Sequence, residues 1–247
     1  MKEVLAIVSR KGGSGKTTSA WVIAAGIREA GQRVLLIDLD SQCNLTAVMG
    51  ADPEKLNATD LLDGSAKPAR TIQHTEQGDI IAGSGDLAAA DVILTGNTYL
   101  KKALTPLLPE YDYIIIDCPA SYGRLTMNAL TAATSAIITL EPATFSEQGI
   151  NELAAIIKQI KRHNKNLNMR GILVTRCDAR SNEVKQAIEE IRAAAAAIGT
   201  KVLEPPIRGT SKVGAAQRRK INLLDYQPRT NTAASDYKEI IKELLKG

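Results

Sequence analysis

An α/β fold, built on a mostly parallel, twisted sheet with helices on both faces, is the architecture this sequence predicts. Three observations predict it. Short apolar, β-branched runs recur along the chain. Segments with helical spacing alternate with them. Several of the runs are apolar without interruption, as strands covered on both faces are. Alternation of this kind reads as successive strand–helix–strand units.

Taken in order, Val4–Val8 is the first strand, and a helical pattern at 16–30 follows it. Val34–Leu39 is the second strand. Residues 51–78 carry Pro53, Gly64 and Pro68 without strong periodicity and read as a surface excursion. Asp79–Ala82 reads as a strand, 97–108 as a helix, Tyr113–Asp117 as a strand and 124–133 as a helix. Ala136–Leu140, Ile172–Thr175 and Lys201–Leu203 complete the strands. Helices are expected at 146–163, 181–198 and 231–246. No linker interrupts the series, so residues 1–247 are expected to form one domain.

The chain has 247 residues, 44% apolar and 23% charged, enough to bury a core without staples and too apolar to stay disordered. Aromatic residues are only 3%, which argues against stacking platforms for single-stranded nucleic acid. Cys43, Cys118 and Cys177 are odd in number, far apart and free of any CxxC. Neither a disulfide framework nor a zinc site fits them, and a reducing, cytoplasmic compartment is expected. Val4–Val8 is too short for a signal-peptide core, and no run reaches the ~18 apolar residues of a membrane span. Charge is uneven. Residues 1–150 carry 12 Lys and Arg against 17 Asp and Glu; residues 151–247 carry 19 against 10. The C-terminal part therefore has the sign of a surface for an anionic partner. His74 and His163 have no partners visible in sequence and are assigned to the surface.

The chemistry begins where the first strand runs into Lys11-Gly12-Gly13-Ser14-Gly15-Lys16-Thr17-Thr18. Glycines let a backbone curl so that successive N–H groups form an anion nest. The helix that follows adds its positive end. Lys16 supplies a point charge for β- and γ-phosphates, and the Thr17 hydroxyl is placed for Mg²⁺. Arg10 stands where the usual GxxxxGK[ST] pattern has its first glycine, so the loop is a deviant form. After the second strand come Asp38 and Asp40, two carboxylates at i and i+2 on one side of a strand. After the strand Tyr113–Ile116 comes Asp117, the form of a Walker B acid that holds Mg²⁺ directly or through its water.

Together these segments resemble the ParA/MinD family of ATPases, and within it the ParA/Soj partition proteins. The loop matches the family's KGGxGK[ST][ST] marker. The match continues through DLDSQCNLT (38–46), YIIIDCPASYGRLTMNAL (113–130), GILVTRCDARSNEV (171–184) and the C-terminal YQPRTNTAASDYKEIIKELL, which is nearly the whole chain. The resemblance implies a single P-loop (Rossmann-like) domain with ATP and Mg²⁺ as cofactors. It implies that Lys11 crosses a dimer interface to the partner's phosphates, that Lys16, Thr17 and Thr18 serve one subunit, and that Asp40 positions the attacking water. Asp38 would lie near the metal beside Asp117. Gly12 to Gly15 would cradle phosphate, and Pro206, Ile207 and Arg208 would contact adenine. It further implies an ATP-dependent homodimer that binds double-stranded DNA non-specifically through Arg180, Lys212 and the cluster Arg218, Arg219 and Lys220. A ParB-like centromere-binding partner would stimulate slow hydrolysis at the nucleoid, and no membrane partner is expected.

The sequence departs from the family at Ser41-Gln42-Cys43, where Pro-Gln-Gly is frequent, and at Ala120, where a second proline is frequent. No helix-turn-helix extension is expected before the first strand. Three alternatives carry similar motifs. A MinD-like membrane-associated positioner would use a C-terminal amphipathic helix, for which Ile240, Ile241, Leu244 and Leu245 offer a stripe. An iron–sulfur member would use Cys118. A nucleoid-based positioner of a protein cargo would share the ATPase and DNA chemistry.

Overall fold

The computed structural model describes residues 3–142, 154–155, 157–162, 164–178 and 180–246. Its centre is a seven-stranded sheet. The strands are β1 (Glu3–Val8), β2 (Val34–Asp38), β3 (Ile72–Thr75), β4 (Gly78–Ile81), β5 (Tyr113–Asp117), β6 (Ser135–Leu140) and β7 (Asn168–Val174). Their order is β3-β4-β2-β5-β1-β6-β7, with only the β3–β4 pair antiparallel.

Alternation along the strands divides the core in two. Val4, Ala6 and Val8 of β1 face one side with Leu35, Ile37, Ile114 and Ile116. Leu5 and Ile7 face the other with Leu36 and Ile115. The second side is covered by α1 (Lys16–Glu29) and α2 (Asn44–Met49). The first is covered by α3 (Ala58–Asp63), α4 (Leu87–Ile93), α5 (Tyr99–Leu104), α6 (Arg124–Ala132) and α7 (Asn182–Ala197). The last helices, α8 (Ser211–Arg219) and α9 (Thr232–Leu245), return to the α1 side. Ile240, Ile241 and Leu244 of α9 are buried there, so the stripe that a membrane helix would offer is spent in the core.

The excursion expected at 51–78 is structured. It holds α3, a 3₁₀ turn (Pro68–Arg70) and β3. Between α2 and α3 the chain changes sides beside β3. The Gln73 side chain fixes it there, accepting from Asp52 N–H and donating to the carbonyls of Asp52 and Leu56. The expected strand Lys201–Leu203 is reduced to one bridge between Val202 and Ile172. The helix expected at 97–108 shortens to α5. The helix expected at 146–163 lies partly outside the described residues, of which 154–155 and 157–162 are helical. His163 also lies outside them. His74 is exposed and meets the Asp79 carboxylate at 2.7 Å.

Trp21 is buried in α1, and its indole N–H donates to Gln77 Oε1 at the β3–β4 turn at 2.7 Å. The Gln77 amide donates in turn to the Val48 carbonyl of α2. Among the described residues no helix is long and apolar enough to cross a membrane.

Candidate nucleotide site

Parallel sheets bind ligands beyond the carboxyl ends of their strands, where neighbouring strands lead in opposite directions. β1 lies between β5 and β6, and the loop 9–15 leaves from its end. An open cleft of about 1260 Å³ lies there, lined by Gly12, Gly13, Gly15, Lys16, Thr17, Thr18 and Asp40. A second cleft, about 820 Å³, runs along β3 and α2; of the motif residues only Lys220 lines it.

Gly15 caps α1 in the left-handed region, at φ 80°, which a side-chain-bearing residue rarely adopts. Lys16 opens the helix. It is buried to 6% exposure, and its ammonium lies over the loop, 3.4 Å from the Lys11 carbonyl. Lys11 itself is exposed and does not line this cleft. Ser14 is turned inward, its hydroxyl 3.0 Å from that of Thr139 on β6.

The acidic residues occupy two levels. Asp40 lines the cleft, with Oδ1 accepting from Gln42 N–H at 3.0 Å. β2 ends at Asp38, so Asp40 sits in a turn rather than on the strand. Asp38 is fully buried. Its Oδ1 accepts from Asp40 N–H, and its Oδ2 accepts from the backbone and hydroxyl of Thr46 at 2.9 and 2.8 Å. The Thr46 hydroxyl also accepts from Gly83 N–H, which ties the end of β4 into the same knot. A Cβ at Gly83 would stand 3.1 Å from the Asp38 carboxyl carbon, so glycine allows this close approach.

Asp117 is buried, and neither of its oxygens makes a hydrogen bond of sound geometry among the described residues. Burial raises its pKa well above the carboxylate range, and the nearby Asp38 adds to this. The Thr17 hydroxyl and the Lys16 ammonium pull the other way. Burial likewise lifts Asp38 to about 6, against its three hydrogen bonds. An orphaned buried carboxylate beside Thr17 fits a divalent cation, which would reverse the desolvation cost. No group of three His, Cys, Asp or Glu side chains is assembled among the described residues. A cation here would therefore rely on oxygens brought by a nucleotide. Cys118 is fully buried, and burial pushes its thiol up, away from the thiolate that a cluster ligand needs.

The segment expected at adenine lies at one edge of the cleft. Ile207 and Arg208 line the cleft with Gly209, Thr210 and Ser211, whereas Pro206 does not. The Ile207 N–H is held by the Val174 carbonyl, which turns the chain after Pro206 into the cleft wall. The Arg208 guanidinium is committed to the buried Asp236 carboxylate, at 2.6 to 3.2 Å. Arg208 therefore presents backbone and stem to the cleft more than charge.

The basic residues separate. Arg180 has a 94% exposed side chain near Asp178. The Lys212 ammonium donates to Thr230. Consecutive helical residues diverge by 100°, so Arg218 lines the cleft while Arg219 lies 5.7 Å over the Tyr226 ring. Lys220 lines both clefts. Residues without a role in the sequence reading also meet here. Thr46, Thr175, Arg176 and Gln217 all contact motif residues, the last by donating to the Thr18 hydroxyl at 3.1 Å.

Known proteins share this fold. A family model described as an AAA domain matches residues 2–169. The sporulation initiation inhibitor protein Soj of Bacillus subtilis is 35% identical over 254 residues, spanning 99% of this chain and 98% of its own. The chromosome-partitioning ATPase Soj of Treponema pallidum is 33% identical over 252 residues, spanning 99% and 98%. Cobyrinic acid a,c-diamide synthase from Mycobacterium smegmatis, solved with bound ADP and magnesium, has a TM-score of 0.83 at 33% identity, covering 100% of this chain and 95% of that one. The fold is thus shared by proteins that bear the names of different activities. The chain belongs to the ParA/MinD family of ATPases and is similar along its whole length to the Soj proteins of that family.

Proposed function

We propose that this chain is a DNA-partition ATPase using ATP and Mg²⁺. Two copies close around two nucleotides, the pair holds duplex DNA without base selectivity, and a ParB-like partner accelerates a slow hydrolysis. One domain, residues 1–247, carries all of it. The observation that carries the reading is the position of Lys11, exposed at the head of the loop and off its own cleft. A cation so placed is available to the phosphates of a second copy, which couples hydrolysis to pairing as an arginine finger does.

Within one copy, the loop amides and Lys16 bind the phosphates. Thr17 and Asp117 would hold Mg²⁺, directly or through water, with Asp38 beside them, and the ion would offset phosphate charge. Asp40 orients a water toward the γ-phosphorus. The new P–O bond forms as the bond to the β-phosphate oxygen breaks, giving ADP, phosphate and a proton. Among the described residues the carboxylates lining the cleft are Asp40 and Glu141, neither of them a strong general base, which supports a slow basal rate. Arg180, Lys212, Arg218, Arg219 and Lys220 are the proposed phosphate-reading surface for DNA, doubled by pairing. The reading implies a cytoplasmic protein that joins the nucleoid when loaded with ATP.

The test is co-sedimentation of Asp40→Ala protein with DNA, using ATP, ADP or no nucleotide, at two salt concentrations. Retention only with ATP, lost at high salt, is expected. Retention that ignores nucleotide would refute the switch.

A further inference from the structure

An anion nest works only if its amides stay aimed. A trans peptide unit is planar, and its C=O and N–H point opposite ways. Holding a loop carbonyl from one side therefore directs the next residue's N–H to the other. The Ser14 carbonyl accepts from Thr175 Oγ1 at 2.9 Å, and the Gly13 carbonyl accepts from Arg176 Nη1 at 3.2 Å. The amides fixed by these contacts are those of Gly15 and Ser14. Both donors follow directly on β7, two strands away from the loop's own strand.

Thr175 also fills the space beside Gly15, where a Cβ would meet its Oγ1 at 3.2 Å. Arg176 is in the left-handed region at φ 57°, unfavourable for a residue with a side chain. Its surroundings hold it there. Cys177 N–H donates to the Ile207 carbonyl at 3.0 Å, and Gly209 N–H donates to the Cys177 carbonyl at 2.9 Å. The guanidinium also faces the Glu141 carboxylate at 3.8 Å. Strain that the surroundings over-determine marks a functional constraint. Here the strained backbone is what lets the side chain reach Gly13 from the cleft rim, where Arg176 and Glu141 both lie.

We propose that Thr175 and Arg176 are positioning residues of the phosphate loop. They hold the Gly13 and Ser14 carbonyls outward so that the nest is formed before nucleotide arrives. This rests on the nucleotide-binding reading of the loop. A loop ordered in advance loses less freedom on binding, so the contacts act on affinity rather than on the fold.

The test compares Thr175→Val, Thr175→Ser, Arg176→Gly and Lys16→Ala with wild type. Calorimetry with Mg²⁺ and either ADP or a non-hydrolysable ATP analogue gives affinity, and thermal unfolding without nucleotide gives stability. Thr175→Val keeps the shape and loses the donor; its affinity should fall roughly 5- to 10-fold, with Thr175→Ser near wild type. Arg176→Gly accepts φ 57° without strain. It should unfold at a higher temperature than wild type yet bind nucleotide more weakly. A structural role alone would move both properties the same way. Wild-type binding with Thr175→Val and Arg176→Gly both within twofold of it would overturn the proposal. Wild type binding no better than Lys16→Ala would instead remove the nucleotide reading, and the inference with it.

Discussion

Asp38 and Asp117 stand directly opposite each other across the β2–β5 pairing, two buried carboxylates on neighbouring parallel strands. Asp38 is hydrogen-bonded on both oxygens, whereas among the described residues Asp117 is bonded on neither with sound geometry. One carboxylate thus shapes the loop that carries Asp40, and the other leaves its lone pairs unused among the described residues.

This pair makes the nucleotide-free protein sensitive to pH. An unfolded Asp ionises near ~3.9. Folded Asp38 is lifted to about 6, and Asp117 is lifted well above its usual range. Between the unfolded and folded values the native state holds more protons, so stability falls as pH rises through that window. The unfolding temperature should drop as pH rises from about 4 through about 6, and Asp117→Asn should flatten the profile. A flat wild-type profile in thermal unfolding would contradict the raised values.

Asp40→Ala should leave nucleotide affinity within a few-fold while hydrolysis falls roughly 100-fold or more. The ATP-bound pair then persists, and size-exclusion chromatography with ATP should show a dimer. Phosphate release at the wild-type rate would remove Asp40 from the water-positioning role.

Cys43 sits at φ 53° at the start of α2. Cys43→Gly removes left-handed strain but adds freedom to the unfolded chain. The net gain should be about 0.5 to 1 kcal/mol, read as a higher urea midpoint. A lower midpoint would mean that packing of the thiol outweighs the strain.

Arg218 and Lys220 should behave differently from Arg219. Charge reversal at either of the first two should weaken DNA binding by the ATP-bound protein and reduce its salt slope by about one. Arg219→Glu also loses the contact over Tyr226, so it should lower the unfolding temperature. Filter binding across a salt series separates the two effects.

Much of this was legible because it is local. The apolar strands and the glycine loop are written in consecutive residues, and each places its own chemistry. β3 was not legible, since Ile72-Gln-His-Thr75 is a half-buried edge strand with polar residues on it. Helix α8 was hidden by Gly214 and by polar residues that weaken any periodic signal. Lys201–Leu203 reads as a strand but meets its neighbour at one bridge, so propensity alone misled. Thr175 and Arg176 lay within a recognisable segment, yet their partners are backbone carbonyls about 160 residues earlier, which no side-chain pattern announces.

Trp21 is the single tryptophan of the sequence. It lies on the helix that begins with Lys16, five residues along, and its indole N–H is tied to Gln77. Tryptophan emission from this protein therefore originates at one spot, between the phosphate-loop helix and the β3–β4 turn. The helix that opens with Lys16 thus carries its own reporter, and stopped-flow fluorescence can follow the surroundings of that helix on mixing with nucleotide without an added dye.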